Sequence, residues 1–188
     1  MRTEFARQYL TSLRQSIEAV DLSLVDRAIE WFRETRDAGG QIFVCGNGGS
    51  AMTASHLVTE LVKSASYNRA QRFRILCLAD SISTITAYSN DLSYDCVFEE
   101  QLKNFALPDD LVVGLSGSGN SPNVVRAIEY ANSVGCRTLA LTGRDGGKLG
   151  QAAQLEIRVS ETHQGRIEDV QMAICHILSY YFIECDLS

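Results

Sequence analysis

Apolar positions recur at three- and four-residue steps through the start of the chain: Phe5, Tyr9, Leu10, Leu13, Ile17 and Val20, then Leu24, Val25, Ala28, Ile29 and Phe32 before Gly39 and Gly40. That period predicts two helices with one apolar stripe each. A stripe ahead of an α/β core either covers that core or meets another subunit, and both readings stay open. Beyond Gly40 the pattern changes to short apolar runs at 41–45, 73–79, 111–115, 138–142 and 155–159, separated by helical patterns near 50–63, 96–106, 122–134 and 166–184. Runs rich in Val, Ile and Leu, alternating with helices, predict a doubly wound, five-stranded parallel sheet covered on both faces. In such sheets ligands sit beyond the carboxyl ends of the strands, so the strand-to-helix loops are where function is sought.

At 188 residues and 45% hydrophobic content, the chain suits one domain spanning 1–188, with N-terminal helices over 1–38. A formal net charge of -6 argues against a general electrostatic grip on nucleic acid or an anionic membrane. No apolar run reaches the roughly 20 residues of a membrane span, and the opening MRTEFARQYL has no secretory h-region, so the expected location is the cytoplasm. Cys45, Cys77, Cys96, Cys136, Cys175 and Cys185 are widely spaced with no CxxC pair, which predicts free thiols.

Two loops carry the candidate chemistry. The first strand runs into Gly46-Asn47-Gly48-Gly49-Ser50, with a helix expected from Ala51. Three glycines let the backbone approach a ligand, and Ser50 is placed to cap that helix and offer its hydroxyl. The lysine-hydroxyl end of a P-loop is missing. The third strand runs into Ser116-Gly117-Ser118-Gly119-Asn120-Ser121, with Pro122 at a first helical position. Three serines between glycines offer hydroxyl and amide donors in one nest, which suits a phosphate held without arginine. A plain tight turn is the alternative for either loop, and two such loops on one sheet weaken it.

On the helix after the first loop, His56 and Glu60 stand four residues apart and share a face. They suit a metal, a general base or a surface hydrogen bond. The last helix carries Arg166, Glu168 and His176, and the apolar neighbours Ile174, Ile177 and Leu178 suggest a core histidine at 176. Arg166 either reaches a ligand or opens its helix as an exposed charge; His163 reads as solvated, and Asn90-Asp91 as a turn.

GNGGSA, LSGSGNSPNVV and ALTGRDGGKL, in that order, resemble the sugar isomerase (SIS) domain and within it the phosphoheptose isomerases, over about residues 5–184. The resemblance implies a flavodoxin-like sheet and an aldose-ketose isomerase acting on sedoheptulose 7-phosphate. It also implies a homotetramer with active sites at subunit interfaces, and zinc or another divalent metal held by His56, Glu60, Glu168 and His176. Glu60 is then the base at carbon and His176 its acid/base partner. Ser116, Gly117, Ser118 and Ser121 hold the phosphate, while Asn47, Gly48, Gly49, Ser50, Asn90, Asp91 and Glu168 meet the substrate. Three places depart from the family: Glu168 stands where glutamine is usual, Gly117 where the nearest relatives tend to have threonine, and Lys63-Ser64-Ala65-Ser66-Tyr67 where arginine and aromatic residues are common. These departures keep an isomerase for another phosphosugar as an alternative; a non-catalytic binding module is a separate one, against which the presence of both Glu60 and His176 counts. Eight helical residues advance about 12 Å, so Glu168 and His176 meet one ion only by reaching inward or with a neighbouring subunit's help.

Overall fold

The computed structural model describes residues 1–186. Two helices, α1 (Arg2–Glu18) and α2 (Leu22–Asp37), precede strand β1 (Gln41–Gly46). There follow α3 (Gly49–Thr59), β2 (Arg74–Cys77), α4 (Ile82–Asp91), α5 (Val97–Phe105), β3 (Leu111–Ser116) and α6 (Pro122–Ser133), then β4 (Arg137–Gly143), α7 (Gly147–Ala152), β5 (Leu155–Val159) and α8 (Gln164–Tyr180). The five strands form one sheet in the order β2-β1-β3-β4-β5. Every pairing is parallel, as the apolar runs predict; Val44 lies opposite Val113, and Val113 opposite Leu139.

Because successive strand residues face opposite sides, the sheet feeds two cores. Ile42, Val44, Leu111, Val113, Leu115, Leu139 and Leu141 face α2, α3 and α8, whose Phe32, Leu57 and Ile174 are buried with them. Phe43, Cys45, Val112 and Ala140 face the other way, onto Phe98 and Leu102 of α5 and Val124 and Ile128 of α6. Both faces of β3 are buried along its whole length, which is why it reads as a continuous apolar run.

Several boundaries differ from the sequence reading. β2 is four residues rather than seven, and Phe73 and Leu78 are buried just outside it. α3 opens at Gly49, ahead of Ala51, with Gly48 at the cap in a left-handed conformation (φ 54°), so Ser50 lies inside the helix and does not cap it. α3 leaves its α-helical course at Glu60, where a π-helical turn runs to Ser64 and the Ala65 amide donates to the Glu60 carbonyl (3.0 Å). α4 has no fully buried residue and packs on the second core only through half-buried Ile85 and Tyr88, and α7 is six residues long, so neither shows a long apolar stripe. α2 joins the core through Val25, Ala28, Trp31 and Phe32, whereas α1 lies on α8 and turns Leu13 and Val20 inward while Phe5, Leu10 and Ile17 stay exposed. Five of the six cysteines are buried, Cys185 is exposed, and all are free. Among the described residues no helix is long and apolar enough to cross a membrane.

Candidate active site

β1 and β3 are neighbours, yet the helices that follow them pack on opposite faces, α3 with one core and α6 with the other. Their loops leave the sheet toward opposite faces at the β1/β3 junction, where ligands bind in an open parallel sheet. In the second loop the Ser116 hydroxyl lies 3.1 Å from that of Ser121 and 3.4 Å from that of Ser118, which accepts from the Asn120 amide (3.1 Å). Gly119 is left-handed (φ 65°), and a Cβ there would stand 2.0 Å from the Gly146 carbonyl oxygen, so only glycine permits this backbone-on-backbone seat. The nest of hydroxyls opens at the N-terminus of α6, where backbone amides favour an anion. Ser118 and Asn120 continue into a cleft of about 790 Å³ also lined by Arg144, Asp145 and Glu161.

In the first loop, Asn47 exchanges two hydrogen bonds with Asn123 of α6 (2.8 and 2.9 Å) and receives one from the Tyr94 hydroxyl (2.8 Å). One turn and more along α3, the Nε2 atoms of His56 and His176 face each other at 2.9 Å with the rings edge-on. At that separation a proton joins them, one nitrogen donating and the other accepting. A second cavity, about 590 Å³, opens beside this pair and is lined by Ser55, His56, Thr59, Asp80 and Met172.

The SIS domain family matches residues 5–143. A phosphoheptose isomerase of Akkermansia muciniphila is 38% identical over 181 residues, covering 94% of each chain. Among solved structures, a phosphoheptose isomerase of Neisseria gonorrhoeae superimposes with a TM-score of 0.89 at 28% identity over 97% of this chain and 98% of its own. One of Francisella tularensis gives 0.91 at 26% identity, over 98% of this chain and 99% of its own. The chain belongs to the SIS-domain phosphoheptose isomerase family. It is an isomerase by that membership, and the remaining residues are read on that footing.

In this isomerase the four residues expected at a metal are gathered only in part. Two imidazoles and two carboxylates are suitable donors for a divalent cation, and the imidazole pair is already assembled. Two nitrogens bound to one tetrahedral zinc stand ~3.3 Å apart, so the observed 2.9 Å needs a slight opening. Among the described residues, however, no three His, Cys, Asp or Glu side chains converge within the subunit. Glu60 is half-buried at the start of the π turn. Glu168 accepts from the Gln164 amide (2.8 Å), and its carboxylate lies against Gly49, where a Cβ would come within 2.6 Å of it.

His176 is exposed, not a core histidine, because its neighbour Ile177 is exposed too and the inward face of α8 belongs to Ile174 and Leu178. Arg166 neither opens its helix as a free charge nor faces the β1/β3 junction with an unpaired guanidinium. It binds both carboxylate oxygens of Glu161 (2.6 and 3.2 Å) and lies over the Tyr9 ring. That guanidinium, with the Thr162 and His163 amides, holds the Glu161 carboxyl down at about 2. His163 is exposed and takes the N-cap of α8. Asn90 and Asp91 pair with each other (2.7 Å) in the exposed last turn of α4; Tyr94, a few residues on, is the one bonded to Asn47. Asn123, Tyr94 and Gln164 escape a reading by motif because each acts through a neighbour. The one local sign of Gln164 is Gly117, where a Cβ would meet its amide at 2.6 Å.

Proposed function

We propose that this isomerase interconverts sedoheptulose 7-phosphate and D-glycero-D-manno-heptose 7-phosphate, as a homotetramer in the cytoplasm, supplying heptose for surface glycans. The observation that carries the reading is the hydroxyl nest of Ser116, Ser118 and Ser121 at the start of α6; His56 and His176 face each other further along α3 and α8. Aldose-ketose isomerisation moves a proton between C1 and C2 through an enediol, so it needs a base at carbon, a proton source for the carbonyl oxygen and a grip on the distant phosphate. Ser116, Ser118 and Ser121 donate to the phosphate oxygens, and Asn47, Gly48 and Gly49 line the sugar. Glu60 takes the proton from one carbon and returns it to the other. His176 gives a proton to the carbonyl oxygen and recovers one from the neighbouring hydroxyl, with His56 as its hydrogen-bond partner (2.9 Å). His56, Glu60, Glu168 and His176 would hold a zinc or similar divalent ion, which when bound supplies Lewis acidity at the substrate oxygens, with Glu60 and His176 its ligands for part of the cycle only, since a group on the ion cannot move protons.

The test incubates the purified protein, with and without zinc, with sedoheptulose 7-phosphate and with shorter ketose phosphates, and follows aldose formation by NMR. Turnover of the heptulose phosphate, with Glu60→Gln and His176→Ala each lowering kcat by about 10²–10⁴-fold, is the expected result. Preferred turnover of a shorter ketose would assign a different phosphosugar. Binding without any turnover would make this a binding module.

A further inference from the structure

We propose that Asn123 and Tyr94 are positioning residues that lock the Asn47 side chain so that it offers the ligand a single N–H donor and no acceptor. The proposal rests on the phosphosugar reading for the ligand it names, an oxygen of the sugar chain, but the lock itself follows from hydrogen-bond accounting. The Val124 backbone amide, shared with the Ser121 carbonyl (3.1 Å), donates to one end of the Asn123 side chain (3.0 Å). A backbone N–H only donates, so that end is the oxygen and the other is the amide nitrogen. Asn123 Nδ2 then donates to Asn47 Oδ1 (2.9 Å), and Asn47 Nδ2 donates to Asn123 Oδ1 (2.8 Å). The orientation of Asn47 is thereby settled by a donor two links away.

Tyr94 completes the count. Its hydroxyl meets Asn47 at Oδ1 (2.8 Å), so it donates. Both lone pairs of Asn47 Oδ1 are now taken, one by Asn123 and one by Tyr94, and one of its two amide hydrogens is spent on Asn123. A single N–H remains. Asn123 is 1% exposed in the first turn of α6, while Asn47 is half-buried in the loop after β1. The reciprocal pair thus crosses from one loop of the β1/β3 junction to the helix that follows the other, and holds the sugar-lining loop in register with the phosphate nest. An unlocked asparagine would present its carbonyl as readily as its amide; a sugar hydroxyl pairs with either, but the substrate's carbonyl oxygen, which only accepts, is met by the amide alone.

The test uses the full chain. Isothermal calorimetry measures the Kd of sedoheptulose 7-phosphate and of inorganic phosphate for wild type, Asn123→Leu and Tyr94→Phe. Asn123→Leu removes the lock without adding charge. The expected result is a fivefold or greater weakening for the phosphosugar with inorganic phosphate within twofold, and only a two- to threefold loss for Tyr94→Phe, where Asn123 still sets the orientation. Equal weakening of both ligands by Asn123→Leu would reduce the pair to a structural staple, and no weakening of either would overturn the proposal outright. Amide-resolved NMR of the wild type decides the lock even where a variant does not fold: one Asn47 Nδ2 hydrogen exchanges slowly and the other fast, whereas two fast hydrogens contradict it. A wild type that binds phosphate but no phosphosugar would sink the functional reading and the ligand named here, while the exchange measurement still judges the lock.

Discussion

At the scale of single residues, Glu168 is where the resemblance to the phosphoheptose isomerases leads one to expect glutamine. Its carboxylate rests against Gly49, the first residue of α3, at the positive end of that helix. A carboxylate so placed is stabilised by about 0.3–1 kcal/mol, and Gln164 adds a hydrogen bond. The ligand's phosphate is assigned to the start of α6, so Glu168 acts on it as a like charge from the sugar-lining side of the site. Glu168→Gln is expected to tighten phosphosugar binding by about fivefold, since removing a like charge is worth up to ~1 kcal/mol, and to reduce the amount of metal retained. Calorimetry and metal analysis by emission spectroscopy check both, and unchanged values for the two together would remove any special role for the carboxylate. The spacing of Glu168 from His176 was legible in the sequence, through the family's pattern. Its resting place was not, because contact with Gly49 exists only once α8 has folded across α3, more than a hundred residues away.

At the scale of elements, the loop from β5 into α8 is tied down by Glu161. Its carboxylate takes Arg166 and the Thr162 and His163 amides, and the Ser16 hydroxyl reaches it from α1 (3.2 Å), so one side chain joins three segments. The carboxyl is held at about 2, below its ordinary 4.5. A depressed carboxylate contributes stability that is fully present above pH ~4.5 and is lost as pH falls toward ~2. Glu161→Gln is therefore expected to cost about 1.5–3 kcal/mol at pH 7, the worth of hydrogen bonds to a charged group, and the gap from wild type should close as the pH approaches 2. Urea melts at pH 7, 4 and 2.5 measure it; a gap independent of pH would assign the effect to packing. The central strands β1, β3 and β4 were legible because a strand buried on both faces leaves an unbroken apolar run, as Leu111 to Leu115 do. α4 was not, because it packs through only two half-buried side chains, Ile85 and Tyr88, too few to set a period. His176 was misjudged for a related reason: Ile177 beside it is 45% exposed, so its apolar neighbours mark a surface as much as a core.

At the scale of the whole molecule, the apolar stripe of α1 is wider than the face it buries. Tyr9, Leu13 and Val20 turn toward the body of the protein, while Leu10 and Ile17, seven residues apart and so on one side of the helix, remain 64% and 45% exposed. On α8, Ile177 and Tyr180 are likewise exposed next to His176. Exposed apolar positions aligned along a helix are what a partner subunit covers. The imidazole pair lies beside one of these surfaces, and no third metal-binding side chain joins it within the described residues of one subunit. Assembly and catalysis are thus expected to be coupled. Light scattering on the wild type should give about four times the 20.7 kDa subunit mass. The double variant Leu10→Asp, Ile17→Asp places charges only on exposed positions, so its circular dichroism should match wild type while its mass falls to a smaller species. If the active site needs its neighbours, kcat falls at least tenfold in the dissociated form and recovers as protein concentration drives reassembly. A variant that keeps the wild-type mass would show that α1 does not form the interface, and a dissociated variant with full activity would show that each subunit builds a complete site by itself.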